Sequence, residues 1–116
     1  MSKLNSIDLM VSDVPAAAKF FREVAGMELR FDDVRFADLA SGEFALMLSP
    51  DAMVPTEKAR GIILHFAVDD VAQTVQTAIE KGATVLLEPV KTDWGTESAM
   101  IQGPEGIVVD FYRIAS

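Results

Sequence analysis

His65 is the one histidine in the 116-residue chain, and imidazole is the side chain whose unperturbed charge change falls closest to neutral pH. A carboxylate beside it would hold one ring tautomer and favour the charged form. Such a pair suits acid/base work or the orientation of a bound ligand. Asp8 and Asp110 are the two carboxylates considered for that partnership. The plainer reading makes His65 a half-buried polar residue, hydrogen-bonded inside a cavity. Met10, Met47 and Met100 form a second group with Trp94 and Tyr112. Thioethers are polarizable and flexible, so methionines reshape around a planar guest and touch its ring through sulfur. Indole and phenol rings stack on the same guest. Taken singly, each of these residues is more often core filling. Facing one cleft together, they describe an apolar small-molecule site with a few convergent polar groups.

The elements that must position these residues follow from periodicity. Ser6 to Val11 alternates, with Ile7, Leu9 and Val11 on one face and Ser6, Asp8 and Met10 on the other, as in a half-buried strand. Asp13 is a helix N-cap, Val14 and Pro15 fit a first turn, and Val14, Ala17, Ala18, Phe21, Val24 and Ala25 mark one apolar face. Gly26 ends that helix. Met27 to Phe31, Val34 to Leu39 and Glu43 to Leu48 then read as strands, separated by Asp32-Asp33 and Ser41-Gly42. Residues 50–60 carry two prolines and no periodicity, the pattern of a linker.

The order then repeats. Ile63 to Val68 is an apolar strand, and Asp70 caps a helix with Val71, Val75, Ala78 and Ile79 on its buried side. Gly82 closes that helix. Ala83 to Leu87, Glu97 to Gln102 and Ile107 to Tyr112 read as strands, with Gly103-Pro104-Glu105-Gly106 as the last hairpin turn. Asp13 superposes on Asp70 and Leu9 on Phe66, which is a repeat of about 57 residues. It sets Asp8 over His65. One half alone is too small for a stable core, so the halves share one or pair with a second chain.

Composition narrows the function. Half of the residues are hydrophobic and 24% charged, which is globular rather than disordered. The formal charge of −8 and the scatter of the ten basic residues argue against nucleic acid, whose phosphates call for clustered Lys and Arg. No apolar run approaches the roughly 18 residues of a membrane span. Without cysteine there is neither a disulfide framework nor a thiolate metal site. No signal-peptide pattern opens the chain. The expectation is a cytoplasmic protein with no membrane and no nucleic-acid partner.

Two β-α-β-β-β units, each opening strand-Asp-Val-helix-Gly, resemble the vicinal oxygen chelate superfamily of glyoxalases, extradiol dioxygenases, and bleomycin and mitomycin resistance proteins. The stretch Trp94-Gly95-Thr96-Glu97-Ser98-Ala99-Met100-Ile101-Gln102-Gly103-Pro104-Glu105-Gly106 is similar to that family's C-terminal signature. It departs from it at Glu97 (commonly Arg), Gly103 (Asp) and Ile107 (Asn). The resemblance implies an α+β, glyoxalase-like fold. Two tandem βαβββ modules, about 1–49 and 61–116, form curled mixed sheets with helices on the convex side, in a single domain over 1–116.

In metal-dependent relatives four concave-side residues hold a divalent ion. The corresponding positions here are Ser6, Ile63, Leu46 or Met47, and Asp110. Only Asp110 is a plausible ligand, and a divalent ion needs several oxygen or nitrogen donors. The expectation is therefore no metal and no cofactor. By alternation the concave side carries Ser6, Asp8, Met10, Met47, Ile63, His65, Met100, Val108, Asp110 and Tyr112, with Trp94 near the mouth. Of these, Asp8, Met10, Met47, His65, Trp94, Met100, Asp110 and Tyr112 are the candidate ligand-binding residues. The direction of Arg35 is left open.

Two functional classes follow. The preferred one is a metal-independent binder that sequesters an aromatic or planar compound, such as an antibiotic, in a Met-lined cleft. The other is an enzyme of this superfamily, a lyase, isomerase or dioxygenase, with His65 and Asp110 as its catalytic residues. A third is a pocket for an unidentified metabolite. Relatives of this length generally pair, so a homodimer is expected, sometimes formed by exchange of halves.

Overall fold

The computed structural model describes residues 2–58 and 60–115. Met1, Ala59 and Ser116, at the ends of the expected modules and in the expected linker, lie outside the described residues. The elements run β1 (Ser6–Met10), α1 (Val14–Glu23), β2 (Glu28–Asp32), β3 (Ala37–Ser41), β4 (Phe44–Ser49), β5 (Ile63–Ala67), α2 (Val71–Glu80), β6 (Val85–Lys91), β7 (Thr96–Gln102) and β8 (Val108–Ile114). They form two four-stranded mixed sheets, ordered β1-β4-β3-β2 and β5-β8-β7-β6. The chain divides into two compact units between residues 59 and 60. No helix among the described residues is long and apolar enough to cross a membrane.

Each unit closes in the same way. Its first strand pairs in parallel with its last, and the other neighbours pair antiparallel. A parallel pair cannot be joined by a tight turn, so the helix and two strands fill the crossover. Both helices start as expected. The Asp13 carboxylate accepts from Ala16 N at 3.0 Å and the Asp70 carboxylate from Gln73 N at 3.0 Å, each filling one of the backbone donors left open at a helix start. Val14, Ala17, Ala18 and Phe21 of α1 are buried on a helix packed against β2, β3 and β4. In the second unit Val71, Val75 and Ala78 are buried on α2, which packs against β6, β7 and β8.

Several local expectations need correction. Ile79 is 43% exposed rather than buried, because it sits about 100° round the helix from Ala78. Val24 and Ala25 are only half-buried, at the end of α1. The third strand starts at Ala37, not Val34. The Asp33 carboxylate accepts from Arg35 N and Phe36 N at 2.8 and 2.9 Å, which holds this segment in a turn and leaves Val34 77% exposed. The strand expected at Ala83 to Leu87 instead runs from Val85 to Lys91, straight through Pro89. Pro89 is tolerated because β6 is an edge strand and its pairing with β7 shifts register twice, between Val85 and Leu87 and between Leu87 and Val90.

Candidate functional site

In the second module the parallel register of β5 and β8 sets His65 beside Asp110, and the antiparallel register of β8 and β7 sets Asp110 beside Met100. These three residues form one row across three strands. The next row on the same face is Ala67, Tyr112, Ser98 and, on β6, Val90. Strands lie about 4.8 Å apart and two residues advance about 7 Å, so the rows make a grid of known mesh. Alternate residues point the other way: Ala99, Ile101, Val109 and Phe111 are buried on the face that receives α2.

The grid is the floor of a pocket of about 830 Å³, within the usual range for small-molecule sites. Leu87, Val90 and Met100 supply apolar lining, and Thr92, Thr96 and Ser98 supply hydroxyls. Leu87 and Val90 are three residues apart, an odd step that alternation alone would put on opposite faces. The register shift between them returns both to the pocket. Trp94 stands 76% exposed in the hairpin between β6 and β7. That hairpin is braced from within. Thr96 N donates to Thr92 Oγ1 at 3.0 Å, the Thr92 and Thr96 hydroxyls are 2.8 Å apart, and Thr92 N donates to Thr96 O at 2.8 Å.

His65 Nδ1 lies 2.7 Å from Asp110 Oδ2. The Asp110 side chain is 4% exposed and that of His65 57%, so the carboxylate is sunk in the sheet and the ring reaches outward from it. A carboxylate oxygen accepts, hence the ring donates through Nδ1. In the neutral imidazole this leaves Nε2 as the lone-pair nitrogen. Tyr112 meets the ring edge-on, with centroids 6.2 Å apart and planes at 81°. Asp110 Oδ1 is buried with no protein hydrogen-bond partner among the described residues.

Five of the eight residues chosen from sequence line this pocket: His65, Trp94, Met100, Asp110 and Tyr112. Asp8, Met10 and Met47 lie on β1 and β4 of the first module, with Asp8 beside Met47 in register and the Ser49 hydroxyl 3.9 Å from the Met10 sulfur. Of the two carboxylates considered for His65, Asp110 is the one hydrogen-bonded to it. Ile63 and Val108 pair with each other one step away along β5 and β8, and neither lines the pocket. Sequence reasoning passes over Thr96 and Ser98, although they alternate with Met100 on the same strand. Val90, Lys91, Thr92 and Asp93 line the pocket too, beyond the strand end expected at Leu87.

The charges left open also find partners. Arg35 donates to Asp51 Oδ2 at 2.7 Å, within the first module. Glu97 accepts from Arg113 Nε at 2.8 Å.

A metal centre like that of the metal-dependent relatives does not fit these residues. Ile63 has no donor atom, and Asp110 Oδ2 is already engaged by His65. No group of three or more His, Cys, Asp or Glu residues among those described could hold an ion.

Residues 3–111 match the family model for the glyoxalase/bleomycin resistance protein/dioxygenase superfamily. A solved structure described as a conserved domain protein is 40% identical, covers 97% of this chain and 99% of its own, and superposes with a TM-score of 0.88. A glyoxalase/bleomycin resistance protein/dioxygenase family enzyme from Burkholderia phytofirmans PsJN is similar in fold at 21% identity, with coverages of 97% and 99% and a TM-score of 0.80. TioX from Micromonospora sp. ML1 is similar in fold at 20% identity, with the same coverages and a TM-score of 0.76. Among curated proteins nothing matches. Sequence model and repeated topology agree: the chain belongs to the glyoxalase/bleomycin resistance protein/dioxygenase superfamily.

Proposed function

We propose that this protein binds a planar, aromatic small molecule, without a metal, in the pocket of its second module. The single observation that carries this reading is the open, largely apolar sheet face with one buried polar pair, His65 and Asp110, in its floor. Apolar walls supply most of the binding free energy, and a few polar groups fix orientation. Met100 adapts to the guest and makes sulfur–ring contacts, while Trp94 and Tyr112 offer rings to stack on it. The acidity of the chain and the buried Asp110 favour a neutral or cationic guest over an anion.

Trp94 is the one tryptophan, so its fluorescence reports on this pocket alone. Titration with mitomycin, bleomycin and simpler polycyclic aromatics is expected to give saturable quenching, with the compound recovered unchanged. Elemental analysis of the purified protein runs beside it. Stoichiometric, tightly held zinc, nickel, iron or manganese would overturn the reading, and so would the absence of any saturable response across the series.

A second reading rests on the His65–Asp110 pair itself. A histidine held by a buried carboxylate is the usual frame of a general base, which suits a metal-free lyase or isomerase. Recovery of chemically altered ligand, lost in His65→Gln, would favour it over sequestration. The binder acts as a homodimer on either reading. The edge strand β6 exposes Leu86 and Val90 by 53% and 43%, and an apolar sheet edge is a site for pairing. Sedimentation as a monomer at micromolar concentration would count against the dimer.

A further inference from the structure

We infer that His65 and Asp110 act together as a hydrogen-bond acceptor pair that selects planar ligands carrying a neutral O–H or N–H donor at the ring edge, as phenols, enols and imides do. This rests on the aromatic-binding reading and adds the chemical class of the ligand.

The fold leaves two acceptors of this pair unfilled. His65 Nδ1 meets Asp110 Oδ2 at 2.7 Å, so in the neutral ring Nε2 carries the lone pair, and no protein group among the described residues hydrogen-bonds it. Asp110 Oδ1, in a residue 3% exposed, has no protein partner either. Native structures rarely leave a buried carboxylate oxygen unpaired, because the group has given up its water. Of the two, Nε2 belongs to the ring that reaches into the pocket, while Oδ1 is sealed within the sheet beneath it.

The chain does not supply the missing donors. Tyr112 and His65 meet as a T of two rings, and the Thr96 hydroxyl lies 2.8 Å from that of Thr92 and 3.4 Å from that of Ser98. Met100 in its row and Leu87 and Val90 in the same pocket give the pair apolar neighbours, and a bound planar ligand would exclude water from the His65 ring. A low local dielectric strengthens a hydrogen bond that is made and penalises one that is not. A ligand offering only acceptors, such as an ether, ketone or carboxylate, would cover Nε2 and leave it unpaired. Sites built this way reject the analogue that lacks the donor far better than they reject one of the wrong size. An anionic ligand would also face the Asp110 carboxylate. A ring anchored at His65 spans the roughly 7 Å to the row of Tyr112 and Ser98, which directs its far end along the strands toward the Trp94 hairpin.

The test uses the full chain and two matched probe pairs: 2-naphthol with 2-methoxynaphthalene, and 4-cresol with 4-methylanisole. Each pair differs by replacing O–H with O–CH₃. Calorimetric titration is expected to show the hydroxyl member binding about two- to tenfold more tightly, the net range for a hydrogen bond between neutral groups. The preference should collapse in His65→Phe, which keeps a ring and removes the acceptor. A second readout needs no ligand: long-range ¹H–¹⁵N correlation of the single histidine should find the neutral ring protonated on Nδ1 in the wild type and shifted toward Nε2 in Asp110→Asn. Equal binding of ether and phenol, or a wild-type ring protonated on Nε2, would overturn this inference while leaving the aromatic-binding reading intact. Failure of all four probes to bind would overturn both.

Discussion

Glu97 and Arg113 face each other in register across β7 and β8, with the Arg113 Nε–H donating to Glu97 Oε1 over 2.8 Å. Both side chains are partly exposed, by 40% for Arg113 and 22% for Glu97, which limits the contribution of the pair to at most about 1 kcal/mol. Glu97→Arg sets two positive charges opposite each other and should destabilise the fold by about 1 kcal/mol. Adding Arg113→Glu should restore most of that loss. Urea denaturation of the two singles and the double decides it, and strict additivity would refute the contact.

Gly103 is held by close approach rather than by a positive φ. A Cβ at this position would lie 2.7 Å from the Ile107 carbonyl oxygen, which also accepts the Gly103 N–H at 2.7 Å across the final turn. Backbone must move to admit any side chain. Gly103→Ala should cost about 1–3 kcal/mol, in the range of overpacking. Differential scanning calorimetry showing an unchanged melting temperature would contradict the geometry.

Asp110, on the binding reading, is a ligand-holding group kept at the expense of the fold. One of its oxygens is buried and unpaired, a state that costs about 1–3 kcal/mol. Apolar replacements of buried charges are often neutral or stabilising. Asp110→Leu should therefore leave the unfolding free energy unchanged or raise it by about 1 kcal/mol, while removing the preference for phenols over ethers. His65, already half in solvent, rehydrates its ring without penalty. A loss of stability above about 2 kcal/mol would mean that the carboxylate serves structure first.

The helix caps offer a symmetrical measurement. Asp13 and Asp70 each accept a backbone N–H at 3.0 Å three residues on. Asp13→Ala and Asp70→Ala should each cost about 1 kcal/mol, and hydrogen exchange should place the loosened amides in α1 for the first and α2 for the second.

Both caps are legible in the amino-acid sequence, because an N-cap is local chemistry within four residues. So are the alternation of Ser6 to Met10 and the duplication that sets Asp13 over Asp70. His65, Asp110, Met100 and Tyr112 are legible as residues of one face for the same reason, since alternation within a strand is short-range. Strand ends are less so. Val34 reads as β-branched strand, yet the Asp33 side chain captures two backbone N–H groups and turns the chain first.

The residue-to-residue pattern thus decided which elements form, where the helices begin, and which faces carry the polar and sulfur-bearing groups. It could not choose between Asp8 and Asp110 as the partner of His65. That choice is a matter of register between β5 and β8, whose paired residues stand 45 apart in the chain, and register over such a distance is set by packing and not by neighbours in sequence. The same holds for the pocket wall. The strand expected to end at Leu87 continues through Pro89 because an edge strand with two register shifts accommodates it, and the shift between Leu87 and Val90 returns Val90 to the face already holding Leu87.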